Sequence, residues 1–100
     1  MAEYRVNLDV EALAEALFGP CRVVDAVAFI RTMARSWPCL TPRQTVVVQQ
    51  RYGWRRSRHE AAGQLGLTPA QVQQAELAAL RRLRHPSVGL RALVEPVEDA

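Results

Sequence analysis

Two helix starts eleven residues apart, with a glycine just ahead of the second, constrain this chain more than anything else in it. The stretch "SRHEAAGQLGLTPAQ" (57–71) opens on Ser57 with Glu60 three positions on. It closes on Thr68-Pro69, with Gln71 three positions after the threonine. In each case a hydroxyl can accept from an orphan N–H of the first turn while the Glu or Gln side chain reaches back. Pro69 falls at the first helical position, where no donor is needed. The first helix therefore spans about 58–65. The second runs from 69 to about Arg84 and ends before His85-Pro86. Gly66 between them tolerates positive φ. Ala62 is the small residue that lets the helices cross closely, and Val72 is the apolar anchor of the second. The intervals, four residues from Ala62 to Gly66 and six from Gly66 to Val72, are those of a helix-turn-helix. Leu65 and Leu67 should point inward at the turn. Val72, Ala75, Ala79, Leu80 and Leu83 should form the buried stripe.

A third start, "TPRQ" (41–44), repeats the pattern with Thr41, Pro42 and Gln44. The run "VVVQQRY" behind it would suit a strand by composition, but the cap before it and Gly53 after it favour a helix. Upstream, Val10, Leu13, Ala14, Leu17 and Phe18 share one helical face, which Gly19-Pro20 stops. The segment Cys21 to Trp37 puts Val23, Val27, Ile30, Ala34 and Trp37 on one stripe, widened by Phe29 and Met33, with Pro38 ending it. A short last helix is expected over Ser87 to Val94, followed by a frayed acidic tail, "EPVEDA". One hundred residues make one domain. The expected fold is all-α, a small helical bundle with a C-terminal helix-turn-helix. Helices within 1–40 pack on a core at 41–94, with a tail at 95–100. Glu3, Asp9, Glu11 and Glu15 should face solvent or a partner.

All thirteen basic residues are Arg. Residues 31–91 carry eleven of them against Glu60 and Glu76, a net of +9, while residues 1–30 and 92–100 each net −3. The basic middle is either an ordinary solvated surface or a face for nucleic acid or an acidic protein. Cys21 and Cys39, with His59 and His85, lack the short spacings of a zinc site, so buried reduced thiols and no metal are expected. No apolar run is long enough to span a membrane, and the acidic start lacks a basic n-region, so a cytoplasmic location is expected. No Gly-rich phosphate loop, paired catalytic carboxylates or nucleophile–base pair at recognisable spacing is present, which argues against an enzyme.

The segment "LTPRQTVVVQQRYG…EAAGQLGLTPAQVQQAELAALRRLRHP" resembles region 4 of the sigma-70 class of bacterial transcription initiation factors. The resemblance covers residues 40–94. "RYG" (51–53) at its distance from the helix-turn-helix and "ALRRLRHPS" (79–87) are its most specific parts. It implies two surfaces: a recognition helix reading the −35 element in the major groove, and an apolar surface docking the flap-tip helix of the RNA polymerase β subunit. The family also uses basic residues near the end of the recognition helix to meet activators.

The likeness is incomplete where bases would be read. The family pattern is roughly "TRERVRQIE"; this chain has "TPAQVQQAE". Thr68, Val72, Gln74 and Glu76 match, but an Arg-Glu-Arg run is replaced by Pro69, Ala70 and Gln71, and a further Arg by Gln73. A good bidentate base contact is worth roughly 1–3 kcal/mol, so little inherited −35 specificity is expected. The residues left for DNA are Ser57 at the first cap, Arg55, Arg56 and Arg58 around it, then Thr68, Ala70, Gln71, Gln73, Gln74 and Arg81. Gln71 and Gln74 either pair with adenine edges or form a solvated face. Leu77, outside the buried stripe, is either a lone exposed leucine or part of a protein-binding face. The expected partner contacts are Arg51, Tyr52, Leu77, Arg82 and Arg84. RNA polymerase through its β-flap is the leading partner and promoter DNA the second, with no membrane, cofactor or small-molecule substrate. Forty residues before Thr41 are too few for a clamp-binding and −10-melting domain, so the chain is expected to act other than as a complete sigma factor. Three readings stand: a DNA-binding regulator; a polymerase- or sigma-binding protein (anti-sigma, appropriator or split-sigma subunit) that no longer reads bases; and a dimerisation module using Leu77.

Overall fold

The computed structural model describes residues 8–97, so Glu3 and the last three residues of the acidic tail lie outside the described residues. The chain runs α1 (Val10–Phe18), β1 (Cys21–Val23), α2 (Ala26–Ser36), a 3-10 turn (Trp37–Cys39), α3 (Pro42–Val48) and a π-turn (Gln49–Gly53). Then come α4 (Arg58–Leu65), α5 (Pro69–Leu83), two 3-10 turns (Pro86–Val88 and Leu90–Leu93) and β2 (Val94–Pro96). It is an all-α fold apart from one two-stranded antiparallel pair, in which Cys21 faces Pro96 and Val23 faces Val94.

All three reciprocal caps form. The hydroxyls of Thr41, Ser57 and Thr68 accept from the N–H of Gln44, Glu60 and Gln71 at 3.2, 3.1 and 3.1 Å. Those side chains accept in return from the cap N–H at 3.1, 2.9 and 2.9 Å. The two hydrogen bonds from Ser57 to Glu60 hold its carboxyl below the usual carboxylate value. Asp9 and Asp25 start α1 and α2 in the simpler way, accepting from Ala12 and Ala28 N–H at 3.1 and 3.0 Å. Gly66 ends α4 at φ +66, and its N–H reaches back to the Ala62 carbonyl.

The apolar interior divides in two. Leu13, Ala14 and Leu17 of α1, Phe29 and Met33 of α2, Val48, Tyr52, and Ala79, Leu80 and Leu83 of α5 form the larger cluster. Val47, Ala61, Ala62, Val72 and Ala75 form the smaller one beneath the helix-turn-helix, with Leu65 and Leu67 packed against it. Val47 and Val48 thus sit side by side in different clusters, and α3 is the wall between them. The stripes expected for α1 and α5 are found, with one addition, Glu76, at 2 % exposure.

Four local expectations are corrected. The helix expected from Cys21 begins at Ala26 instead. Asp25 caps it, and β-branched Val23 sits in the strand paired to Val94. The buried face of α2 is Phe29, Met33 and Ser36, the side that only widened the expected stripe, and Val27 and Ile30 are exposed. The helix expected at Ser87–Val94 is two 3-10 turns separated by Gly89 at φ +85. The strand after them takes up Glu95, which lies 3.8 Å from Arg22. Gly53 is not a left-handed terminator: it closes the π-turn, and the positive φ falls on Arg55, at 56°.

A Cβ added at Gly66 would meet nothing within 4 Å, so only the backbone conformation resists a side chain there. Gly66→Ala should lower the unfolding free energy by about 1–2 kcal/mol with the fold retained, and Gly66→Asn by less. Urea denaturation followed by circular dichroism measures both.

Candidate nucleic-acid interface

The π-turn after α3 determines where the helix-turn-helix sits. Its wider turn aims Arg51 and Tyr52 at α5. There Glu76 receives three donors: Arg51 Nε at 2.9 Å and Arg58 Nε at 3.2 Å on one carboxylate oxygen, and Tyr52 Oη at 2.7 Å on the other. Arg51 also donates to the Arg56 carbonyl at 2.7 Å, tying down the loop that leads into α4. Burial alone would raise the Glu76 carboxyl, but the hydrogen bonds from Tyr52 and Arg51, with the charge of Arg51 and the bond from Arg58, outweigh it and hold the group ionised. The Tyr52 hydroxyl is pushed far upward by its burial and by its bond to that carboxylate, so it stays a donor.

This network corrects part of the expected site. Arg51 and Tyr52, expected at a partner surface, are directed inward, and Tyr52 is only 6 % exposed. Arg58 is shared: its side chain stays 40 % exposed while it binds Glu76. Glu76 itself was not assigned a role from sequence. The signal was available, since a carboxylate on the apolar stripe of α5, in a segment otherwise almost free of acids, needs buried cations.

Five of the side chains expected to meet DNA share one side of α5 with Leu77, which was expected to meet a protein partner. Ala70, Gln71, Gln73, Gln74, Leu77 and Arg81 are all exposed along one side of α5. A polar cleft of about 580 Å³ opens between the starts of α4 and α5, lined by Ser57, Arg58, His59, Ala70 and Gln73. The first-turn N–H groups of both helices point toward their starts, where anions are favoured. Arg55 is exposed and lies 3.1 Å from Asp9. Arg56 donates to Gln50 at 2.6 Å, with its guanidinium 5.4 Å from the Trp54 ring centre. Thr68 and Gln71 are committed to each other as a cap.

Arg82 and Arg84 are also engaged within the chain. Arg82 donates to the Cys39 carbonyl at 3.0 Å, and Arg84 to the carbonyls of Leu17 and Ala16 at 2.7 and 3.2 Å, closing the C-terminal end of α1. An apolar groove of about 770 Å³ runs between α2 and α3, lined by Ile30, Met33, Trp37, Leu40 and Val46 among others. The thiols differ from the expected buried pair: Cys39 is exposed and Cys21 half-buried, both free. Burial first, then the charges of Glu11 and Glu15, push the Cys21 thiol up, with Arg91 opposing. Among the described residues no group of three or more His, Cys, Asp or Glu is placed to hold a metal, and no helix is long and apolar enough to cross a membrane.

A capped helix pair joined by a left-handed glycine, with an exposed second helix beside a cationic cleft, defines a helix-turn-helix domain of the DNA-binding class. Residues 38–85 match the family model of Sigma-70, region 4, so this segment is similar to that family of transcription domains and supports a region 4 helix-turn-helix within the chain. No curated protein and no solved structure was found to match it.

Glu76→Gln should destabilise the domain at neutral pH by about 3 kcal/mol, the low end for breaking a buried pair, because Arg58 can turn to water. The folded carboxyl ionises below its ordinary value. Its contribution is therefore complete above that ordinary value and is lost as pH falls through the depressed one. Thermal unfolding against pH should show the gap between wild type and Glu76→Gln narrowing below about pH 4.5, the ordinary carboxyl value.

Proposed function

We propose that the chain is a transcription regulator that binds DNA through α5 and the arginines around α4, with phosphate contacts supplying most of the affinity. The observation that carries this reading is the open outer side of α5 beside the cleft at two capped helix starts, within a segment of net charge +9. Arg55, Arg56, Arg58 and Arg81 lie on the backbone of the duplex, and Ser57 caps the helix that points at a phosphate. With no arginine before Arg81 on α5, inherited reading of the −35 element is weak.

A second reading draws on the α2–α3 groove. Region 4 domains meet RNA polymerase as well as promoter DNA, and this groove supports docking of an apolar helix such as the β-flap tip, with Ile30 and Val46 at its open edge. The two surfaces lie on different elements, so both partners can be held at once.

Electrophoretic mobility shifts on duplex DNA across a salt series test the first reading. Binding should weaken steeply with salt, and Arg81→Ala or Arg55→Ala should weaken it equally on all sequences, each lowering the log–log salt slope by about one. Absence of any shift at low salt would refute it. For the second, retention of core polymerase by the tagged chain should be lost in Val46→Glu, while DNA shifts by that variant stay unchanged.

A further inference from the structure

We infer that the outer side of α5 reads A·T pairs in the major groove, with Gln74 pairing to an adenine edge and Leu77 and Ala70 packing against thymine methyl groups. The inference rests on the DNA-binding reading above and specifies its ligand. Ala70, Gln74, Leu77 and Arg81 follow one another at intervals of four, three and four residues, so they form one stripe along the helix, and all four are exposed.

The chemistry of that stripe is narrow. Reading guanine relies on a bidentate Arg or Lys at O6 and N7, and reading cytosine N4 on an outward carboxylate. The only acid of α5 is Glu76, which is 2 % exposed and bonded to Arg51, Arg58 and Tyr52. The first cation on the outer side is Arg81, in the second half of the helix, whereas a recognition helix meets bases with its N-terminal residues. What remains is amide and methyl.

The capping geometry then decides between the glutamines. A bidentate adenine pair needs an amide oxygen for N6–H and an amide nitrogen for N7. The oxygen of Gln71 is already held by the Thr68 N–H at 2.9 Å, so Gln71 is not that reader. Gln73, like Ala70, lines the cleft beside Arg58, and its amide is placed to donate to a phosphate there, which leaves Gln74 as the glutamine outside the cleft. Gln74 stands in the middle of the stripe, between Ala70 one turn before and Leu77 one turn after. Leu77, 45 % exposed and part of neither apolar cluster, is matched by the one apolar group the major groove offers, the thymine methyl.

Fluorescence anisotropy with the full chain and short duplexes of equal length, at low salt, tests this. An A·T-rich duplex should bind on the order of a hundredfold tighter than a G·C-rich one, from one bidentate adenine pair and two methyl contacts. An inosine·cytosine duplex, which carries the minor groove of A·T and the major groove of G·C, should bind as the G·C duplex does. Deoxyuridine in place of thymidine should weaken binding about fourfold for each contacted methyl. Gln74→Ala should lower A·T affinity without lowering G·C affinity, leaving the part of the preference due to the thymine methyls, and Leu77→Ala should reduce the deoxyuridine effect to that of the Ala70 contact. Both residues are exposed, so the fold is kept, as circular dichroism would verify. Equal affinity for A·T and G·C duplexes, or an inosine duplex bound as tightly as A·T, would overturn the inference and leave DNA binding standing. No binding to any duplex would overturn both and make the stripe a protein surface.

Discussion

A carboxylate can sit inside a helical domain only where donors converge on it, and at Glu76 three do. They come from two places in the chain: Arg51 and Tyr52 from the π-turn, and Arg58 from the start of α4. Helix α5 is thereby fixed against both the element before the helix-turn-helix and its first helix. Hydrophobic packing alone would leave α5 free to slide or roll on the small cluster of Val47, Ala61, Ala62, Val72 and Ala75, whose side chains offer little relief. The ion network supplies direction where that packing supplies only adhesion. Its cost is a buried charge, which is tolerated because every oxygen has a donor and no buried side-chain polar atom among the described residues lacks a partner.

The same network governs the site. Arg58 serves the interior and the cleft together, so the position of the cationic groups is coupled to the position of α5. Arg84 and Arg82 extend this to the other end of the helix, where they close the end of α1 and the turn at Cys39. Cations that could have met an outside partner are used to assemble the domain. The surface that remains on α5 is unusually neutral for a helix-turn-helix, with Arg55, Arg56 and Arg81 at its borders.

Much of this was legible in the sequence. The three caps form as spaced, because a hydroxyl and a Glu or Gln three residues apart meet by local geometry alone. Gly66, Ala62 and Val72 follow for the same reason. Legibility failed where distant pairing overrode local pattern. Val23 belongs to a strand because Val94 lies across from it, and no periodicity in either segment reveals that. In α2 two apolar sides compete, Val27 and Ile30 on one and Phe29 and Met33 on the other, and only tertiary packing selects the second for burial. The inward roles of Arg51, Tyr52 and Arg84 are invisible to local pattern because their acceptors lie 25, 24 and 67 residues away.

The β1–β2 pair, small as it is, has a consequence for how the protein comes into being. Its strands are separated by most of the chain, and Val97 N–H closes onto the Pro20 carbonyl at 3.3 Å. During synthesis α1 and α2 leave the ribosome long before α5 and the segment 90–97 exist to cover them. Their apolar faces must wait, and the contacts that finally enclose them are the least local in the molecule. The helix-turn-helix, whose caps and turn are local, can form early. Completion of the domain is therefore timed by the segment 90–97, and a ribosome stalled short of it would hold a formed helix-turn-helix on an unfinished body.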